Sequence, residues 1–149
     1  MNESKTELAR KIVAIRKRKG LSWTDIASAI GHSPVWTCAA CLGQMSMTAE
    51  AAEKAGALLG LDAAEVATLQ DIPYRGALPG AVPTDPAVYR FYEVLQVYGT
   101  TLKELIGEEF GDGIMSAIDF DMSVERQPDP KGDRVRVTMS GKFLPYKRY

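Results

Sequence analysis

"LKELIGEEFGDGIMSAIDFDMSV", residues 102–124, changes its period part-way, and that change decides the fold. Its first ten residues read as a short helix that stops at Gly111. Beyond Gly113 the pattern becomes an alternation. Ile114, Ser116, Ile118, Phe120, Met122 and Val124 then fall on one side of a strand. "QPDPKGD", residues 127–133, turns the chain, and Val135, Val137 and Met139 alternate after it. The spacing predicts a hairpin followed by a short final segment, "KFLPYKRY". Two or three strands beside one helix make a thin fold, so the pattern predicts a homo-oligomer.

Upstream of the quoted stretch, Thr84-Asp85-Pro86 offers a cap and a first-turn proline for a longer helix. That helix contains "YRFYEVLQVYG", residues 89–99, and Gly99-Thr100-Thr101 is expected to break it. On a helical wheel Val88, Phe91, Tyr92, Leu95 and Tyr98 form one apolar stripe, which predicts core positions. Arg90, Glu93 and Val97 project from the other side, flanked by Tyr89 and Val94. A solvated face normally carries more charge than this, and the Arg-before-Glu order is the less favourable one for a surface helix. The wheel alone leaves two readings open, an ordinary surface ion pair or a second half-buried face that holds Arg90 and Glu93.

The first seventy residues read as five short helices. Ser4 and Glu7 have capping-box spacing ahead of Leu8, Ile12 and Ile15. Ser22 opens a helix that Gly31 stops, and Ser33-Pro34 opens a third running to Leu42. Thr48 caps an alanine-rich fourth that ends near Gly60, and Asp62 with Glu65 caps a fifth ending near Gln70. "PYRGALPGAVPTD", residues 73–85, is rich in proline and glycine and reads as a linker or extended arm. The domain expectation is therefore a helical unit over 1–72, a linker over 73–85, and a helix-plus-strands unit over 86–149.

Composition removes several functions. A formal net charge of −1 makes the chain neither a basic nucleic-acid binder as a whole nor an acidic tail. Cys38 and Cys41 form a lone C-x-x-C, and His32 is the single histidine, so a four-ligand zinc site is short of donors. The helix predicted from Pro34 places Cys38 within it, which suits two small buried apolar residues better than a redox pair. Ile26–Ala49 is uncharged, but Gly31-His32-Ser33-Pro34 and its hydroxyl residues argue against a membrane span. "MNESKTELARKIVAIRKRKG" alternates charge with apolar residues, unlike a secretory signal, so the expectation is a cytoplasmic protein.

"PTDPAVYRFYEVLQVYGTTLKELIGEEFGDGIMSAIDF", residues 83–120, resembles the C-terminal region of the cyanase (cyanate hydratase, cyanate lyase) family, and the likeness extends through "GKFLP", residues 141–145. The resemblance implies a lyase of cyanate catabolism, combining cyanate with bicarbonate to give carbon dioxide and carbamate, which yields ammonia and more carbon dioxide. It places the family's catalytic arginine on Arg90, its glutamate on Glu93 and its serine on Ser116. It further implies no metal or organic cofactor, with bicarbonate as co-substrate, and a decamer of intertwined dimers with sites between subunits. The fold class expected is mainly α, then α+β: an N-terminal bundle similar to a helix-turn-helix DNA-binding domain, then a helix with antiparallel strands in an intertwined dimer.

The alternative is a helix-turn-helix DNA-binding regulator built on Ser22–Leu42 behind a basic lead helix. Its recognition helix, "PVWTCAACL", carries no Arg, Lys, Asn or Gln to read base edges. No nucleic-acid partner is therefore expected.

Overall fold

The structure is a computed structural model that describes residues 3–76, 78 and 80–148. The chain divides into two compact units, Met1–Ala77 and Leu78–Tyr149.

The first unit is five helices: α1 (Glu3–Lys19), α2 (Trp23–Ile30), α3 (Pro34–Cys41), α4 (Ala49–Leu59) and α5 (Ala63–Gln70). Ser22 caps α2 reciprocally with Asp25, and Asp62 caps α5 in the same way with Glu65. Both pairs satisfy N–H groups that the first helical turn leaves without partners. Gly31 ends α2 at φ +86°, a backbone conformation that side chains resist. Ser4 is not a cap, because α1 begins at Glu3 and takes Ser4 into its first turn.

Leu8, Ile12 and Ile15 recur one helical turn apart and meet Ile26, Ile30, Ala52, Ala55, Leu59 and Leu69 in a single core. The alanines of α4 let helices approach closely, and Gly56 packs directly against Val66 of α5. Lys5 is buried in this unit, donating from Nζ to the carbonyls of Leu69 (3.2 Å) and Met45 (3.4 Å). Cys41 is buried, whereas Cys38 is only partly so, which corrects the expectation of two buried thiols.

The second unit is one long helix and one hairpin. The helix α6 runs unbroken from Pro86 to Phe110, capped by Asp85 Oδ1 on the N–H groups of Ala87 (2.9 Å) and Val88 (3.1 Å). The expected break at Gly99 does not occur. A glycine inside a helix costs about 1 kcal/mol, too little to interrupt favourable turns on both sides. Gly111, at φ +92°, ends α6 and donates to the Gly107 carbonyl (3.0 Å).

Strands β1 (Gly113–Gln127) and β2 (Arg134–Pro145) pair antiparallel, with the turn braced by Arg126 and Asp133 (2.6 Å). Tyr146 N–H closes the base of the hairpin on the Asp112 carbonyl (3.0 Å). Phe110 and Phe143 stack at 5.2 Å and join the end of α6 to β2.

Two expectations fail in this unit. The apolar stripe of α6 builds no core within the chain, because none of the helix's 25 residues is buried. Phe91, Leu95 and Tyr98 each remain more than half exposed. The alternation predicted for β1 is also interrupted by a register shift between Met115 and Phe120. Ile118 in that interval is 97% exposed, while Ser116 is buried.

Candidate active site

Arg90 and Glu93 sit one turn apart on α6, and the guanidinium Nη1 donates to Glu93 Oε2. The arginine side chain is largely exposed and the glutamate side chain nearly half so. The pair therefore stands open to an approaching ligand rather than enclosed by its own chain. A guanidinium held by a carboxylate at one edge keeps its remaining donors in a fixed plane, a geometry suited to carboxylate-like oxygens.

Ser116 lies at the irregularity of β1. Met115 pairs with Phe143 and Phe120 pairs with Gly141, so Ser116, Ala117, Ile118 and Asp119 stand opposite Lys142 alone. Such a bulge bends the strand and re-aims its side chains. The Ser116 hydroxyl oxygen accepts from the N–H groups of Ile118 and Asp119, both at 3.0 Å. With its lone pairs engaged, its O–H is the part left to donate. Two bonds into the oxygen polarise the hydroxyl and strengthen it as a donor.

The N–H groups of Ile118 and Asp119 point at the serine itself, so the group offered to an anion is the hydroxyl hydrogen. Among the described residues no hydrogen bond or ion pair links Ser116 with Arg90 or Glu93. One chain thus supplies Arg90 and Glu93 from α6 and Ser116 from β1, with no bond between the pair and the serine.

An open trough of about 860 Å³ runs between the second half of α6 and the first residues of β1. Leu95, Leu102, Ile106 and Met115 line it, and neither Arg90 nor Ser116 does. Its apolar walls suit packing against protein better than binding a small anion. Among the described residues no cluster of three or more His, Cys, Asp or Glu side chains is arranged to hold a metal ion. No helix of the described residues is long and apolar enough to cross a membrane.

Comparison with known proteins covers both units. The family model for the cyanate hydratase N-terminal region matches residues 5–73, and that for the cyanate lyase C-terminal domain matches residues 80–148. The chain belongs to the cyanate hydratase family of enzymes. The cyanate hydratase of Methylibium petroleiphilum is 60% identical over 146 residues, covering 98% of this chain and 99% of that protein. The cyanate hydratase of Polynucleobacter asymbioticus is also 60% identical, over 95% of this chain and 97% of its own length. The crystal structure of cyanase from T. urticae superposes with a TM-score of 0.82 at 35% identity, covering 93% of this chain and 96% of that one. The resemblance read from residues 83–120 therefore extends through the N-terminal helices as well. The fold is six helices followed by a two-stranded antiparallel sheet, in keeping with that structure.

Proposed function

We propose that the chain decomposes cyanate in a bicarbonate-dependent reaction, with Arg90, Glu93 and Ser116 as its catalytic residues. Two small anions must be brought together, so the site has to offset their repulsion before any bond forms. Arg90 supplies the permanent positive charge, and the polarised Ser116 hydroxyl supplies a neutral donor to oxygen as negative charge shifts during attack. A bicarbonate oxygen attacks the cyanate carbon, and the cyanate nitrogen takes up a proton. As the proton of the former bicarbonate hydroxyl passes to the nitrogen, the adduct loses carbon dioxide by cleavage of the bond between the former bicarbonate carbon and the bridging oxygen. This leaves carbamate, which takes up a further proton and separates into ammonia and carbon dioxide. Glu93 orients Arg90 and relays a proton to the nitrogen. The scheme uses no enzyme nucleophile and no cofactor; holding the two reactants together supplies much of the acceleration.

The observation that carries this reading is the family match across both units, with an arginine, a glutamate and a serine at the positions the resemblance assigns. The site is shared between subunits, in a decamer of intertwined dimers. Supporting this, Arg90 and Ser116 share no bond among the described residues, and most of the apolar stripe of α6 stays exposed. The domains follow the same logic: helices over 1–72, a connector over 73–85, and a catalytic and assembly unit over 86–149, in a cytoplasmic protein. Ammonia release from cyanate, with and without added bicarbonate, tests the reading. Release only with bicarbonate is expected. Absence of release in both conditions refutes the activity, and release independent of bicarbonate refutes the mechanism.

A further inference from the structure

We propose that Gly141 is a positioning residue for Ser116, a role that rests on the catalytic reading of that serine. Gly141 pairs with Phe120 at the upper edge of the β1 bulge. Its φ is not positive, so glycine is not needed there for backbone conformation. Space is the reason. A Cβ at this position would lie 2.3 Å from the Ser116 carbonyl oxygen and 2.6 Å from Met115 Cγ. Phe120 Cδ2 would be 3.4 Å away, an ordinary contact. The backbone of β1 at Ser116 therefore rests directly on the bare backbone of β2, as a strand glycine permits.

The consequence reaches the hydroxyl. The Ser116 carbonyl is flanked by the bulge whose N–H groups, at Ile118 and Asp119, fix the serine Oγ. A methyl group at 141 lifts that carbonyl by roughly 1 Å to restore van der Waals distance. The bulge is then distorted, the Ile118 and Asp119 N–H groups lose their hold on Oγ, and the hydroxyl is re-aimed. A misplacement of about 1 Å at a reacting group costs on the order of 10²-fold in rate. Gly113, at the start of β1, is also crowded, but by Leu144 and Phe143 rather than by Ser116.

The test is a double-mutant cycle on the full-length assembled enzyme, read as kcat for ammonia release. Gly141→Ala is expected to lower kcat about 10²-fold, whereas in a Ser116→Ala background the same change alters kcat less than twofold. Hydrogen exchange in the peptide spanning residues 116–120 is expected to accelerate in Gly141→Ala, because the N–H groups of Ile118 and Asp119 lose their partner. Losses that simply add in the double variant overturn the proposal, as does unchanged kcat in Gly141→Ala. If Ser116→Ala alone retains full turnover, the catalytic reading of the serine fails first and the positioning role falls with it. Where Gly141→Ala does not assemble, Met115→Ala/Gly141→Ala is compared with Met115→Ala. That pair removes the collision with the methionine and keeps the one with the Ser116 carbonyl. If the pair also fails to assemble, the glycine serves the fold rather than the serine, and the proposal is refuted.

Discussion

Leu95→Asp on α6 should separate the fold of the chain from its activity. Leu95 is 57% exposed within the chain and lines the trough between α6 and β1. Full burial of a leucine side chain contributes about 1.5–3 kcal/mol, so covering the exposed 57% contributes roughly 1.3 kcal/mol per copy. In a two-fold contact the residue occurs twice, and its loss weakens association by about 2.6 kcal/mol, close to eighty-fold in the dissociation constant. The carboxylate adds a desolvation cost in the same direction. Within the chain the change is smaller, because no residue of α6 is fully buried there. Sedimentation velocity over a dilution series, with ammonia release assayed on the same samples, reads both quantities. Mass and specific activity should fall together in the variant, at protein concentrations where the unaltered chain keeps both. Full activity in a stable monomer would refute the shared-site reasoning.

Three further outcomes follow from single contacts. Glu93→Gln removes the charge that holds Arg90 and the proposed proton relay, so kcat should fall by about 10²–10⁴ with the oligomer intact; near-normal ammonia release would sink the role. Burial, reinforced by neighbouring Cys38, pushes the Cys41 thiol from its ordinary 9.0 up to about 12. Above pH 9 the unfolded chain then releases a proton that the folded chain keeps, so stability falls as pH rises, by about 2 kcal/mol between pH 9 and 10.5. Lys5, its pKa lowered chiefly by burial, acts in the opposite sense near its own titration, so urea unfolding of the protein is compared with Cys41→Ala across this range. Equal pH slopes in the two proteins would contradict the burial argument. At Gly56 a Cβ would lie 2.4 Å from Val66 Cγ2, so Gly56→Ala should cost about 1–3 kcal/mol through overpacking. A thermal unfolding midpoint that does not drop, or one that Val66→Ala fails to restore, would show that the α4–α5 contact yields freely.

The N-terminal helices were legible because their signals are local. Ser22, Ser33, Thr48 and Asp62 each cap the helix that their sequence context predicts, and each cap is satisfied within three residues. Ser4 misled because the same spacing occurs one residue inside a helix, where the neighbouring turn already sets the start. Gly99 misled for a related reason. A single weak residue ends a helix only when the following turn is weak too, and Leu102, Leu105 and Ile106 continue the helix.

The geometry around the candidate site residues was not legible in the sequence, and Ser116 shows why. Alternation assigned it to one face of a regular strand, alongside Ile118 and Phe120. Yet Ser116 and Asp119 also have the spacing at which a serine oxygen meets an N–H three residues on, and the structure makes that bond. The two signals conflict over the same four residues, and the local one wins because Gly141 across the strand leaves room for the bulge. That deciding residue is 25 positions away, outside any window in which periodicity is read. The stripe on α6 fails differently. Periodicity states which side chains leave water, not which chain covers them. It assigns Phe91, Leu95 and Tyr98 to a core, and they stay exposed in the single chain. On the assembly proposed above the same stripe is core after all, formed between copies. Arg90 and Glu93, on the other side of that helix, then take their surroundings from more than one subunit. The signals for the proposed catalytic face and for the proposed assembly are thus two sides of one helix, which is why Leu95→Asp is expected to cost activity without touching Arg90, Glu93 or Ser116.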